Sequence, residues 1–175
     1  MNKGQFAQPK EVIHELIRKN GYFPNNPQYP FLVYKNMAAL TDQPPDAIQA
    51  FLRHNQWINS WVDGIYKNHH YHSNTHELLV VIAGDCQVQI GGDQGKIYEI
   101  ARGDVIILPA GVAHKNTGSS SDFKCIGAYP FDVECDMNYG KAEEHPQVVD
   151  NIKRVGLPAR DPVFGAEGLL FDYWK

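Results

Sequence analysis

The chain has 175 residues, 43% hydrophobic and 21% charged, which favours one globular domain with a sizeable apolar core. Its 16 basic and 20 acidic side chains leave a net charge of -4, and no Lys/Arg stripe marks a nucleic-acid partner. The longest apolar run, LLVVIA at 78–83, is far below the roughly 20 residues of a bilayer span, so no membrane partner is expected.

The start, MNKGQFAQPKEV, lacks the apolar stretch of a secretory leader. Residues 9 to 21, PKEVIHELIRKNG, read as a short helix: Pro9 suits its first turn, Val12, Ile13, Leu16 and Ile17 share one face, and Gly21 suits the stop. YFPNNPQYP then reads as an extended crossing, and FLVYKN, 31 to 36, as a strand. Thr41 and Asp42 open a second helix running to about Asn55, with Ala47, Ile48, Phe51 and Leu52 on one face.

From Trp57 the texture changes. Short apolar or β-branched runs (WINSWVDGIY, HHYHS, ELLVVIAG, CQVQI, KIYEI, VIILP, HKNT, FKCIGAYP) alternate with the turn signals GGDQG, ARGD and GSSSD. That rhythm predicts an all-β sandwich or barrel, with GGDQG as a hairpin loop and no βαβ unit between 57 and 130. After Pro130, FDVECDMNYGKAEEHPQ reads as loop and VVDNIKRV as one or two helical turns. The end, DPVFGAEGLLFDYWK, is too apolar for a solvated tail, so Leu169, Leu170, Phe171, Tyr173 and Trp174 should pack on the barrel or on a second subunit. The expected plan is an N-terminal arm with two short helices (1–56), a barrel core (57–130) and a C-terminal wrap (131–175). Cys86, Cys125 and Cys135 are an odd number at wide spacing, which suits free thiols in a reducing compartment such as the cytoplasm. Cys86 and Cys125 lie in apolar runs and read as small core residues.

Residues 67 to 77, KNHHYHSNTHE, hold four of the eight histidines. In a strand, His70 and His72 point to one face and can reach one ion, while His69 and Tyr71 point the other way. Tyr66 and Asn68 share the inward parity, and Tyr129 ends a strand near a possible mouth; these three are pocket candidates. Ser73-Asn74-Thr75 breaks the register, so parity alone does not choose between His76 and Glu77. GDVIILPAGVAH places a strand and a Pro-Ala-Gly turn before His114, which meets the first cluster if the sheet curls back on itself. Three imidazoles and a carboxylate make a mixed N/O site suited to one Fe(II), Mn(II), Ni(II), Co(II) or Zn(II) ion with open positions. Gly84, Gly103 and Gly111 read as turn residues. No G-x-S-x-G, P-loop or dinucleotide fingerprint occurs.

The same residues resemble the two cupin motifs. Gly64, five residues, His70-x-His72, four residues, Glu77, six residues and Gly84 look like the first; Gly103, five residues, Pro109-x-Gly111, two residues and His114 look like the second. The usual asparagine is shifted, Asn116 standing two rather than four positions after His114. HHYHSNTHE, LPAGVAHKN, GAYP and DPVFG together are similar to a group of small, mostly bacterial single-cupin proteins. The resemblance implies a double-stranded β-helix, the jelly-roll barrel, with a metal inside. It assigns His70, His72, Glu77 and His114 as ligands and so takes Glu77 over His76, leaving His69 and His76 behind or outside the ligand set. Fe(II) and dioxygenase chemistry on a small organic acid, enol or diketone come first, because three histidines and a glutamate serve many cupin oxygenases. An isomerase, lyase or decarboxylase on the same ion, or a non-catalytic metal- or small-ligand-binding cupin, are the alternatives. Single cupins often dimerise, and the apolar arm and tail suit a homodimer interface or a cover for their own barrel.

Overall fold

The computed structural model describes residues 6–175; the first five residues of the expected arm lie outside the described residues. The strands are β1 (Val12–Glu15), β2 (Phe31–Tyr34), β3 (Ile58–Asp63), β4 (Glu77–Ala83), β5 (Asp85–Ile90), β6 (Lys96–Ala101), β7 (Val105–Leu108), β8 (His114–Ser119) and β9 (Lys124–Tyr129). They pair antiparallel in a six-stranded sheet, β1-β2-β7-β4-β9-β3, and a three-stranded one, β6-β5-β8. This is the all-β jelly-roll architecture that the sequence implies. Helices α1 (Ala38–Thr41) and α2 (Pro45–His54) fall between β2 and β3, and α3 (Gln147–Arg154) and α4 (Leu170–Tyr173) follow β9.

Why the sequence gives strands without polar alternation is visible in the packing. Successive side chains on the larger sheet feed two different cores. Leu32, Tyr34, Leu78, Val80, Val105, Ile107 and Ile126 point outward, where Ile48, Phe51 and Leu52 of α2 and Leu170 and Trp174 of the tail cover them. Phe31, Val33, Leu79, Val81, Ile106 and Leu108 point inward against Cys86, Val88, Ile90, Tyr98 and Ile100 of the smaller sheet. Burial of each such aliphatic side chain contributes roughly 1.5–3 kcal/mol. The GGDQG loop joins β5 to β6 as a hairpin, and Cys86 and Cys125 are buried with free thiols, as read from the sequence.

The predicted helix over 9–21 does not form. Val12–Glu15 is strand β1, paired to β2 through Val12–Tyr34 and Glu15–Phe31. The physical reason is the same pair of cores: Val12 packs with the outer one, Ile13 and Ile17 with the inner one, while Leu16 is exposed. An i, i+1, i+4, i+5 apolar pattern fits a helix face, and here it serves two faces of a strand beside an open sheet edge. The arm is therefore partly sheet, with both its helices between Ala38 and His54. The HHYHS run forms no strand either, only the isolated bridges His70–His114 and Tyr71–Asn138.

The C-terminal wrap packs on its own barrel. Asp161, fully buried, accepts hydrogen bonds from the Tyr34 hydroxyl at 2.7 Å and from the amides of Val163, Phe164 and Leu170 at 2.7, 2.8 and 2.9 Å. Burial pushes its carboxyl up, and these four donors pull against that push. A Cβ on Gly168 would stand 2.1 Å from that of Asp161, so the knot closes only over glycine. Trp174 donates from its indole to the Pro30 carbonyl at 2.8 Å and stacks on Tyr29. Among the described residues, no helix is long and apolar enough to cross a membrane.

Candidate metal centre

One backbone bridge brings the distant histidine home. His70 and His114 face each other across an antiparallel pair of N–H···O bonds, 3.2 and 3.0 Å, which sets their ring centroids 4.2 Å apart. Glu77 opens β4, paired with Leu108 of β7, and its buried carboxylate reaches the same point. One ligand-type atom from each of His70, Glu77 and His114 lies within 4.8 Å of the others. His72 stands at the edge of this group, with its Nε2 3.6 Å from Glu77 Oε1 and its ring centroid 6.0 Å from that of His70. All four side chains are buried.

Each imidazole is held from behind. The Nδ1 of His70 meets the Asn68 carbonyl at 3.2 Å, that of His72 the Asp136 carbonyl at 2.5 Å, and that of His114 the Val112 carbonyl at 3.2 Å. A carbonyl only accepts, so each Nδ1 carries the hydrogen and each Nε2 of a neutral ring turns a lone pair forward. Glu77 Oε2 makes no hydrogen bond although His114 Nε2 lies 3.2 Å away, because both atoms are acceptors. With the rings neutral, three Nε2 lone pairs thus converge on a carboxylate, which is the chemistry of a cation site. Without an ion, protons redistribute. Burial pulls His72 down, but the adjacent Glu77 carboxylate prevails and holds it up at about 9. Burial and then the His114 ring hold His70 down at about 3. Burial alone would raise Glu77, whereas His72 and His114 keep it well below the carboxylate range.

His76 is the histidine that parity left open, and the fold uses it structurally. It is fully buried; its Nδ1 accepts from the Ala110 amide at 2.9 Å and its Nε2 donates to the Gly156 carbonyl at 3.0 Å. It therefore grips the Pro-Ala-Gly turn that delivers His114 and ties it to the C-terminal wrap. The His72 carbonyl grips the same turn through the Gly111 amide at 2.8 Å. Burial lowers the His76 pKa from 6.5 to about 4. The folded state thus binds fewer protons than the unfolded chain between those values. The stabilisation is complete above pH 6.5 and is lost as pH falls through about 4, by about 3 kcal/mol in all. Denaturant titrations from pH 7 to 4 should show this slope in the wild type and a correspondingly shallower one in His76→Gln. His69 turns away from the site with its ring centroid 5.2 Å from that of Phe23.

In front of the cluster is a cavity of about 370 Å³. Of the pocket candidates, Tyr66 lies at its mouth and Tyr129 on its wall. Asn68 does not line it: the chain bends at 67–68, which breaks the strand parity, so Asn68 is exposed and serves the site through its carbonyl. Tyr129 contacts Glu77 Oε1 at 3.5 Å and accepts the Trp61 indole N–H at 3.1 Å. Trp61 packs against Gly127, where a Cβ would stand 2.1 Å from the indole. Gly127→Ala is expected to cost about 1–3 kcal/mol by overpacking and to move Trp61 fluorescence to longer wavelength.

Sequence reasoning missed Trp61, Cys135 and Met137 as cavity residues and Asp136 as the support of His72. The 134–136 loop is clipped to the first motif, with Ser73 donating to the Asp136 carboxylate and Asn74 pairing with Glu134 and Asp136.

The model of the Cupin domain family matches residues 62–126. Uncharacterized protein YjlB of Bacillus subtilis (strain 168) is 40% identical over 165 residues, covering 94% of this chain and 98% of that protein. Among solved structures, procruciferin, an 11S globulin from Brassica napus, is 20% identical over 47% of this chain and 21% of its own, with a TM-score of 0.37. The chain spans about a fifth of that globulin. DMSP lyase DddQ from Ruegeria pomeroyi DSS-3 is 17% identical over 77% and 51% of the two chains, TM-score 0.36. A point mutant of Bacillus subtilis oxalate decarboxylase OxdC is 17% identical over 71% and 29%, TM-score 0.38.

Proposed function

The chain belongs to the cupin family, and from that premise we propose that it is a metal-dependent enzyme holding one divalent transition metal ion at His70, His72, Glu77 and His114. The carrying observation is the convergence of three imidazoles, each held at Nδ1 by a backbone carbonyl, on a buried carboxylate whose Oε2 has no hydrogen-bond partner. Fe(II) is the favoured ion, with Mn(II), Ni(II), Co(II) or Zn(II) fitting the same donors. Once bound, such an ion supplies Lewis acidity and, as iron, dioxygen chemistry toward a small organic molecule.

The chain's own groups do the rest. The Nδ1–H bonds to Asn68, Asp136 and Val112 carbonyls fix the three rings before any ion arrives. Leu79 and Ile65 exclude water from the cavity wall. Tyr129 stays protonated, since burial and then the Glu77 carboxylate hold its hydroxyl well above the usual range. With Trp61 donating to its oxygen, the Tyr129 O–H is directed at Glu77 Oε1, 3.5 Å away, and orients that carboxylate.

Dioxygenase-type chemistry is the reaction we propose. An oxygen electrode tests it on tag-free protein reloaded with Fe(II), against enols, diketones and thiols. Uptake that depends on protein and substrate is the expected result. Metal-loaded protein that consumes no oxygen with any of them would contradict it and move the assignment to isomerase, lyase or ligand-binding roles.

A further inference from the structure

We infer that the cavity takes a small, largely apolar molecule that presents one singly anionic chelating edge, such as the enolate of an aryl 1,3-diketone, and that it discriminates against dicarboxylates and phosphorylated compounds. The inference rests on the metal-centre reading above and adds the substrate class.

Charge is the first argument. Among the described residues, no lysine or arginine lines the cavity; Asp63 is the sole charged side chain there outside the histidine and glutamate cluster. A divalent ion beside the Glu77 carboxylate leaves one net positive charge. One anionic group on a ligand neutralises it. A second carboxylate or a phosphate would leave net negative charge in a buried site with no cation to receive it.

Hydrogen-bonding capacity is the second. The Trp61 indole N–H is already given to Tyr129, and the Tyr129 hydroxyl to the Glu77 carboxylate. The wall beyond the metal cluster therefore offers a polar ligand few partners. Leaving those ligand groups unpaired is costly.

Surface chemistry is the third. Trp61, Ile65 and Leu79 form the wall. At the rim Val62, Tyr66 and Met137 are 44%, 58% and 38% exposed. Large apolar groups left in water at the mouth of one cavity mark an entrance for an apolar body.

A matched set of probes tests this on the full chain loaded with Co(II), whose visible absorption reports ligation without turnover. Acetylacetone and malonate both chelate through oxygens in a 1,3 relation but carry one and two negative charges; benzoylacetone adds an aryl group. Affinities are expressed relative to those for aqueous Co(II) at the same pH. The expected result is a preference for acetylacetone over malonate of at least tenfold and a further gain for benzoylacetone. Val62→Arg, at an exposed rim position, should raise malonate affinity several-fold without touching the ligands. Malonate bound as well as or better than acetylacetone, or no gain from the aryl group, would overturn the substrate class. A chain that never develops the Co(II) spectrum would instead overturn the metal centre, so the two failures are told apart before any probe is added.

Discussion

Replacing Glu77 or His114 by alanine is expected to weaken Mn(II) or Fe(II) binding at least about 100-fold, since even outer partners of a metal ligand are worth 10–100-fold. Calorimetric titration of metal-free protein, with elemental analysis after dialysis, reads it directly. The geometry also ranks the four positions. His70, Glu77 and His114 already bring their ligand atoms within 4.8 Å, whereas His72 stands 3.6 Å from the carboxylate at the edge of the group. His72→Ala should therefore show the smallest loss of the four. Glu77→Ala carries a second signature. The carboxylate is what holds His72 up at about 9 against its burial. Without it the His72 pKa should fall, visible as a shifted imidazole titration in the metal-free variant. An unchanged His72 titration would mean that the buried pair does not form.

Asp161→Ala is expected to lower stability by about 4 kcal/mol, because it leaves three amides, two of them buried, and the Tyr34 hydroxyl without an acceptor. For a chain of this length that corresponds to a fall in Tm of about 8–16 °C. Asp161→Asn keeps one acceptor oxygen and should fall by less. The effect reaches the site through packing, since Trp174, anchored in the same wrap, lies against His76 with ring centroids 4.6 Å apart. Metal affinity should follow stability only weakly in these variants, in contrast to Glu77→Ala, where affinity collapses while the fold persists. A Tm within about 2 °C of wild type for Asp161→Ala would show that the knot is not what fastens the wrap.

Much of the barrel was legible because its residues carry short-range signals. Seven runs between Trp57 and Pro130, each bounded by Gly, Asp or Ser turns, became strands β3 to β9. The inward pair His70 and His72 followed from alternation, and the spacing resemblance placed Glu77 and His114 with them. What sequence reading missed depends on tertiary partners. PKEVIHELIRKNG has a true helical face, and only the free edge of β2 and the presence of two cores make it a strand. Parity stopped at Asn68 because the bend there leaves no local trace beyond a polar pair. His76 looked like a spare ligand, and its two backbone partners, Ala110 and Gly156, lie 34 and 80 positions away. Asp136 supports His72 through a main-chain carbonyl, which every residue type possesses, so no residue pattern announces it. Trp61 on Gly127 is a steric match between strands that neither residue shows alone.

Anomalous diffraction from crystals of the protein loaded with Mn(II) or Fe(II), measured at the metal edge, tests the central assignment most directly. One peak per chain is predicted, within about 2.0–2.3 Å of the Nε2 atoms of His70, His72 and His114 and of a Glu77 oxygen. Fully loaded crystals with no peak there, or with the ion held by other residues while these four side chains keep their positions, would contradict it.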